Sequence, residues 1–554
     1  MANVFRKVGR APVVYSNHDL SYEVKTDARF GLLYPVMRKH MVPGDVFRIS
    51  NEIVVRMMPM IAPILHEVNV FVHYFFCPYR ILWEGWEDWI TQNLDETPPP
   101  LPLWDENQEH PTRFKLYDYM HFDVGMMADG IVDPKVHAFP RTAYNMIWNE
   151  YYRDEQIQEE IPLDQNELLH RSWAKDYFTS ARLEPMDGTP PAIPIDVGSL
   201  DLSDLPEEWF PISYPQDPNS NPGIGPNLRV GVNQVYPASS GAPFPQALIP
   251  GTMNPNGLFP SGVGGPLIAG TDDRRNANAK TMREWLQMIT FNLQGGINAN
   301  DVREVFQITK WLERNVRAGK RYTEFIRSRF PAYPRDYRLQ RPEYVGGSRS
   351  PVIISEVLQT TADSSSTISG NVSPQGNMAG HGITADRTYV GKYKADEYGV
   401  IMGLMSVMPT PVYATGNDRE FTVDNPFDFF FPEFQQLGEQ AILGREILFT
   451  NGPTFDDKVW GYQGRYNHLR YSASRTVGLM RPSINNPNMA HWHMARFWNP
   501  TFPPHLNDEF LKCNPDMRNF AVTDEPPMLV NFGNIIHATR PMVAVPNPGF
   551  IDHF

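Results

Sequence analysis

Val68-Asn-Val-Phe-Val-His-Tyr-Phe-Phe76 is the stretch whose reading decides the fold class. Successive residues of a strand point to opposite faces. Val68, Val70, Val72, Tyr74 and Phe76 therefore share one face, and Phe71 and Phe75 share the other with Asn69 and His73. Both faces carry large apolar groups, which predicts a strand covered on both sides. Upstream, Pro43-Gly44-Asp45 marks a turn before a second strand run over 46–55, and Pro59 and Pro63 bracket the link between the runs. Residues 13–80 thus read as a hairpin-rich beginning. Strand-like runs return at 398–415, 458–480, 488–497 and 527–545. Early and late strands around a long middle predict one β-sandwich whose sheets draw on both ends of the chain.

Composition agrees and narrows the function. Of 554 residues, 41% are apolar and 20% charged, which allows a large core and argues against general disorder. Length alone would allow three or four domains at roughly 150 residues each. The 52 prolines are about 9% of the chain, against roughly 5% in average usage. Helices and central strands reject proline, so much of the chain is expected as ordered loop. Two cysteines, Cys77 and Cys513, can make neither a disulfide scaffold nor a four-cysteine metal site and are expected as buried thiols. No apolar run approaches the roughly 18 residues of a membrane span. The basic start, with Arg6, Lys7 and Arg10, lacks the apolar stretch of a secretory signal. A formal charge of −14 argues against nucleic acid on every side but leaves room for one basic face.

The middle of the chain changes character several times. Trp83, Trp86, Trp89 and Ile90 recur at helical spacing before Pro98. A second helix is expected from Pro140, with Tyr144, Ile147, Trp148 and Tyr151 on one face. Such an aromatic stripe could box a ligand, but core packing is the simpler reading. Residues 185–270 hold 17 prolines and 12 glycines, seven acidic residues, no lysine and the single basic residue Arg229. This long excursion retains aromatic residues, so it reads as folded, and its acidity makes it a poor phosphate contact. Residues 301–350 reverse the sign, with 12 Lys/Arg against 6 Asp/Glu. There Asp301 and Glu304 fit a capping box before a helix with Val305, Ile308, Trp311 and Leu312 on its apolar side and Gly319 at its end. A second helix over 321–329 stops at Pro331, and its arginines could face a phosphate backbone, solvent or carboxylates. Residues 361–380 read as an exposed loop.

Signals for catalysis are weak. The sequence has no phosphate-binding loop, no GxSxG elbow and no HExxH. His491-Trp-His493 would put two imidazoles on one strand face, but no third ligand stands at a recognisable spacing. Asp272-Asp273 and Asp456-Asp457 are sequence neighbours, which point apart on a strand and make no acid/base couple by themselves. Asn371-Val-Ser373 matches a glycosylation sequon without a secretion signal to support it. A large aromatic chain without a catalytic constellation suits a protein built for interfaces.

Several consecutive stretches carry a more specific likeness. They include Val42-Pro-Gly-Asp45, Met58-Pro-Met-Ile-Ala-Pro63, Val70-Phe-Val-His-Tyr-Phe-Phe76 and Trp86-Glu-Asp-Trp-Ile90. Ile147-Trp-Asn-Glu-Tyr-Tyr-Arg-Asp154, Trp173-Ala-Lys-Asp-Tyr-Phe-Thr-Ser-Ala181, Lys310-Trp-Leu-Glu-Arg-Asn315 and Leu339-Gln-Arg-Pro-Glu-Tyr344 follow in order. Leu437-Gly-Glu-Gln440, Gly461-Tyr-Gln463, Arg540-Pro-Met542 and Pro548-Gly-Phe-Ile-Asp-His553 complete the series. Together they resemble the major capsid protein of microviruses (Microviridae), the small icosahedral single-stranded DNA bacteriophages, and within them the gokushovirus-like branch.

The resemblance implies a mainly β fold: an eight-stranded antiparallel viral jelly roll with long helical and loop insertions. Residues 1–554 would form one capsid domain, with a helical, basic insertion over 280–350. The 185–270 insertion would protrude at the three-fold axes, where Trp209, Phe210, Tyr236, Phe244 and Phe259 are host-facing candidates. The likeness further implies a T=1 shell of sixty copies enclosing circular single-stranded DNA, and hence a non-enzymatic virion component assembled in the host bacterial cytoplasm. Implied partners are a small basic DNA-binding protein, a pilot or minor capsid protein, a scaffolding protein and a host surface receptor. No cofactor is implied, and a structural divalent cation between subunits stays open. Inward-facing cations and aromatics suit unpaired DNA. The candidates are Arg6, Lys7 and Arg10, and Arg465, Arg470, Arg475 and Arg481 around Tyr462, Tyr466 and Tyr471; pairing of these arginines with carboxylates of a neighbouring subunit is the alternative.

Two other readings remain. A carbohydrate-binding or carbohydrate-processing β-sandwich would show a carboxylate pair in an aromatic cleft. A DNA-packaging or replication enzyme would show a metal-binding cluster.

Overall fold

The computed structural model describes residues 14–91, 100–104, 114–123, 136–186, 188, 299–318, 321–330, 335–358, 378–423, 425–482 and 489–545. The chain divides into two compact units, one made of Met1–Thr189 with Trp311–Phe554 and the other of Pro190–Lys310. In the second unit the described residues are the first part of a helix, Ala299–Ala318. Everything that follows on the sheets concerns the first unit.

Twelve strands are described: β1 Ser16–Asp19, β2 Tyr22–Ala28, β3 Tyr34–Met41, β4 Val46–Met57, β5 Val68–Pro78, β6 Glu343–Pro351, β7 Ile353–Leu358, β8 Met378–Lys394, β9 Gly399–Pro409, β10 Glu439–Leu443, β11 Val459–Gly464 and β12 Met528–Arg540. One sheet has the order β1-β12-β4-β8-β7, with β2 also on β12; a second has the order β3-β9-β5-β6; β10 and β11 form a separate ribbon. All these pairings are antiparallel. The chain crosses from sheet to sheet between β2 and β3, β3 and β4, and β4 and β5. The late strands β9 and β12 then insert between early ones. That wiring is a jelly roll.

β1 and β2 lie end to end on one edge of β12, pairing with 537–540 and 528–534. The break between them has a local cause. Asp19 Oδ1 accepts the Ser21 amide at 3.0 Å, and Ser21 Oγ accepts the ladder donor Ile536 N at 3.1 Å. With β1 and β2 taken as one broken strand, the two sheets hold nine strands among the described residues rather than the expected eight; β7, on the outer edge of β8, is the addition.

The space between the sheets is the main core. β4 alternates faithfully, with Phe47, Ile49, Asn51, Ile53, Val55 and Met57 buried. β12 answers with Met528, Val530, Phe532, Asn534, Ile536 and Ala538. From the facing sheet, Val68, Val70, Val72, Tyr74 and Phe76 of β5 are all at most 1% exposed, as their spacing predicts. Two buried asparagines tie the sheets together. Asn51 Nδ2 donates to Ser348 Oγ at 2.9 Å, and Asn534 Nδ2 donates to Val36 O at 2.8 Å. Val36 sits where the β3–β9 register shifts, so the asparagine satisfies a carbonyl that the bulge leaves without its ladder partner.

The other face of the β3-β9-β5-β6 sheet is covered too. α1, Phe139–Ile147, has Pro140 in its first turn and runs into a π-helical turn, Trp148–Tyr152. Tyr144, Ile147 and Trp148 are buried and Tyr151 packs on Phe75 with ring centroids 4.7 Å apart, so the aromatic stripe is core packing. Tyr144 hydroxyl donates to Leu33 O and accepts from Leu169 N, both at 2.9 Å, and Trp148 Nε1 donates to His170 O at 2.8 Å. Cys77 and Cys513 are free, fully buried thiols, and burial raises both thiol pKa values.

Elsewhere the structure departs from the sequence reading. The tryptophan segment forms two short helices, Tyr79–Leu82 and Trp86–Thr91, with Trp86 buried and Ile90 exposed. α2, Ala299–Ala318, starts before Asp301, so that residue lies inside the helix rather than at its N-cap position. On its expected apolar side, Ile308 and Trp311 are exposed. α3, Tyr322–Arg329, follows as expected. Within 280–350 the described chain is helical only that far: a 3-10 turn at Asp336–Leu339 and strand β6 complete the stretch. β8 begins at Met378, inside the expected loop. Residues 488–497 contain the 3-10 turn Ala490–Trp492 rather than a strand, because His493 and Arg518 bond the backbone there in place of a ladder.

Gly31 closes the seam between the early and late chain. Its φ is +74°, its N–H donates to Val407 O at 2.9 Å and its carbonyl accepts from Arg171 N at 2.7 Å. A Cβ at this position would lie 1.8 Å from Cys513 O. Gly31→Ala combines left-handed strain with a backbone collision, so the variant should lose at least ~2 kcal/mol in denaturant unfolding of the isolated chain. A second expectation concerns His73 on the outer face of β5, whose Nδ1 lies 2.8 Å from the Tyr152 hydroxyl. Burial, with the Arg171 guanidinium nearby, lowers this imidazole from 6.5 to about 4. The unfolded chain therefore takes up the proton first as pH falls. Native stability should drop through the window from 6.5 to about 4, by up to ~3 kcal/mol for this group. Urea midpoints of the wild type should consequently fall more steeply across that window than those of His73→Gln; parallel curves would refute the assignment.

Candidate nucleic-acid interface

The described arginines expected to meet DNA all follow the β10–β11 ribbon, whose register shifts at Ile442 and Leu443. Past Gly464 the chain reverses at Tyr466, which has φ +61° and introduces a 3-10 turn, Asn467–Leu469. Tyr466 is an anchor: it is 1% exposed, its N–H donates to Gln440 Oε1 at 3.1 Å and its hydroxyl donates to Phe429 O at 3.0 Å. It is thus unavailable for base stacking, whereas Tyr471 is exposed. The turn is stiffened by Arg470, whose Nη1 donates to Asn467 Oδ1 at 2.8 Å and to Arg465 O at 3.0 Å.

Arg465 and Arg470 share a cleft of about 470 Å³ with Lys175, Arg182 and Arg317, and with Gln463, Asn467 and Tyr471. Arg182 is placed there by a reciprocal backbone pair with Tyr462, both bonds at 2.8 Å. Gln463 joins the two walls, its Nε2 donating to Tyr177 O at 2.9 Å and Ser180 Oγ at 2.8 Å. Asp176 and Glu439 also line the cleft. Asp176 is occupied by the Thr179 and Phe178 amides and the Tyr413 hydroxyl, and Glu439 pairs with Arg317. Lys175 pairs with Asp154. Cationic side chains outnumber carboxylates in the lining, so the cleft favours an anion.

The structure separates the other two candidates from this group. Arg475 is a strut: Nη2 donates to Asp418 Oδ1 at 2.9 Å and Glu446 O at 3.1 Å, and the guanidinium lies 5.6 Å over Phe178. Beside it, Glu446 is 2% exposed, accepts from Arg419 Nη1, Tyr177 hydroxyl and Leu443 N, and has its carboxyl pKa raised by burial. Arg481 is exposed, with a long contact from Nε to Thr476 O at 3.4 Å. Arg6, Lys7 and Arg10, and the protrusion candidates Trp209, Phe210, Tyr236, Phe244 and Phe259, lie outside the described residues, as do Asp272, Asp273 and Asn371. Sequence reasoning did not nominate Lys175, Arg182 or Arg317. Arg317 stands in the basic run already noted, and Lys175 in the 173–181 stretch.

Rival sites have different chemistry. A cleft of about 440 Å³ beside Trp173 and Trp498 contains Glu509 and Asp516. Their carboxylates pair with Lys512 at 4.0 Å and Arg518 at 3.4 Å rather than with each other. Asp456 accepts from Thr450 N and Gly452 N, and Asp457 pairs with Arg445. His493 Nδ1 accepts from Ala495 N at 3.1 Å while Nε2 meets Met480 O at 2.6 Å, which fixes a neutral imidazole away from any strand face. Among the described residues no group of three His, Cys, Asp or Glu side chains could hold a metal, and no helix is long and apolar enough to cross a membrane.

Comparison with known proteins places these features in a family. The sequence profile of the family described as Capsid protein (F protein) matches residues 7–550. The chain is 27% identical over 598 residues to Capsid protein VP1 of Chlamydia phage 1, covering 99% of this chain and 98% of that protein. It is 28% identical over 579 residues to Capsid protein VP1 of Bdellovibrio phage phiMH2K, again covering 99% and 98%. Capsid protein VP1 of Spiroplasma virus 4 is 24% identical over 560 residues, covering 94% of this chain and 92% of that protein. With a profile match spanning nearly its whole length and a two-sheet antiparallel fold beneath it, this chain belongs to the capsid protein (F protein) family.

Proposed function

We propose that this capsid-family chain is the major subunit of a T=1 icosahedral shell of sixty copies around a circular single-stranded DNA genome. Its role in the virion is structural rather than enzymatic. The observation that carries the reading is the family match over residues 7–550, which includes both the early and the late strands of the sandwich. Closing a shell requires each copy to meet several neighbours, so the contact area per chain exceeds a standard binary interface of about 1,600 Å². Assembly proceeds in the host bacterial cytoplasm with a scaffolding protein. The finished particle carries a small basic DNA-binding protein and a pilot or minor capsid protein. The 185–270 insertion meets the host surface receptor.

Within this reading the genome meets the basic cleft. Arg465 and Arg470 contact phosphates, Arg182 adds charge, and Tyr471 offers a ring to an unpaired base. Arg475 is withdrawn from the proposed contacts because it stands outside the cleft lining and is ion-paired with Asp418.

Negative-stain electron microscopy of the protein from its native source should show uniform spherical particles of sixty subunits. A monomer or dimer from virions would reject the shell. The DNA contact has its own readout. Binding of an oligothymidylate to the soluble chain should weaken with salt. Arg465→Gln/Arg470→Gln should lower the log–log salt slope by about 1.4, because two single-strand phosphates would no longer be neutralised. An unchanged slope would remove both residues from the interface.

A further inference from the structure

Residues 425–437 read Asn-Pro-Phe-Asp-Phe-Phe-Phe-Pro-Glu-Phe-Gln-Gln-Leu. Hydrophobic side chains concentrated in so short a surface segment need an explanation. Phe427 is 62%, Phe429 57%, Phe430 49%, Phe431 43% and Leu437 62% exposed. At about 200 Å² per aromatic side chain, these groups present roughly 500 Å² of apolar surface. That is near the upper end of the largest apolar patch on an ordinary monomer, about 300–600 Å².

The segment is held in shape despite its exposure. Two 3-10 turns, Pro426–Asp428 and Pro432–Phe434, each have proline in the first turn. Asn425 Oδ1 accepts from Phe427 N at 3.0 Å. Arg465 Nη2 donates to Phe427 O at 3.1 Å, and the Tyr466 hydroxyl to Phe429 O at 3.0 Å. The rings also order one another: Phe427 and Phe431 lie 6.0 and 5.8 Å from Phe434, and Phe430 lies 5.1 Å from Tyr466. A surface whose backbone is already fixed loses little further freedom on association. Its only charged side chains are Asp428 and Glu433, and an aromatic, charge-poor patch is what the buried centre of a protein interface is made of.

We infer that the phenylalanine segment 425–437 is a subunit–subunit contact, covered in the assembled particle by a second copy of this chain. The inference rests on the shell reading, because a chain of a capsid family has copies of itself as its most abundant neighbours. The area argues the same way. Roughly 500 Å² of apolar surface would supply more than half of the ~800 Å² that one partner contributes to a standard interface.

The test uses the whole chain, expressed with its assembly partners. Phe429→Asp/Phe431→Asp places two charges in the proposed contact, whereas both side chains are exposed in the single subunit. Gradient sedimentation should show at least a tenfold loss of particles, while the unassembled chain keeps the wild-type circular dichroism spectrum and thermal midpoint. Phe429→Leu/Phe431→Leu should restore assembly. Wild-type particle yield from the double aspartate variant would overturn the inference and leave the shell reading intact. If the aspartate variant fails to fold, a photo-cross-linking probe decides. With p-benzoylphenylalanine in place of Phe429, irradiated particles should give peptides joining two chains. Links confined to one chain, or none, would overturn the contact. A wild-type chain that never forms particles would reject the shell reading itself.

Discussion

β9 is eleven residues long and every one of them is buried. A strand with no solvent face needs apolar cover on both sides, and the rest of the first unit supplies it. One side faces β4, β8 and β12 across the main core. The other faces α1 and the π-helical turn, with Trp104, Tyr117 and Trp86 in the same apolar cluster. β5, beside β9 in the sheet, imposes the same demand through Phe71, His73 and Phe75. The long connections around the sandwich are therefore part of its core. Removing the α1 cover would expose β9 residues Val400, Met402 and Leu404, which pack in that outer cluster.

The covering segments are stitched on by backbone pairs rather than by full strands. Leu33 N bonds Leu169 O, Arg171 N bonds Gly31 O, Cys513 N bonds Arg171 O and Trp173 N bonds Leu511 O. One extended stretch is thus held between the start of the chain and its last quarter. The seam tolerates little change, since Gly31 has space for only a hydrogen where another residue has Cβ. Proline richness fits this design: loops already limited in the unfolded state lose less entropy when fixed.

Many cations are spent on structure. Arg171 lies half-buried 4.6 Å over Phe71 with Nη1 on Ser406 Oγ at 3.2 Å. Arg496 lies 4.1 Å over Phe510 and donates to its carbonyl at 2.6 Å. Arg518 binds the carbonyls of Ala490, His493 and Ala495. Burial disfavours the charged form of all three guanidiniums, yet each holds irregular backbone that has no ladder to satisfy it. This is why a run of arginines in sequence was a poor guide to a nucleic-acid surface. Arg465 and Arg475 stand ten positions apart and look alike in sequence, but one lines an open cleft and the other braces Asp418 and Glu446. Tyr466, a stacking candidate by composition, instead holds both the cleft and the phenylalanine segment in place.

Residue order alone was enough for the β class, the two-sided burial of 68–76, the turn at Pro43-Gly44-Asp45, the helix from Pro140 and the buried state of both cysteines. Each follows from a local rule: side-chain period, proline geometry or the cost of exposing apolar groups. The family likeness was also legible, because its matching segments run in order along the whole chain. Strand pairing was settled only in three dimensions, since β12 reaches β4 and β2 from nearly five hundred residues away and no local pattern encodes a partner. Folding also assembled the cleft, bringing Lys175, Arg182, Arg317, Arg465 and Arg470 together from three separate stretches. Charge and aromatic content are read from sequence one residue at a time. Whether a guanidinium is left for a ligand depends on which carbonyls and carboxylates the fold brings to it.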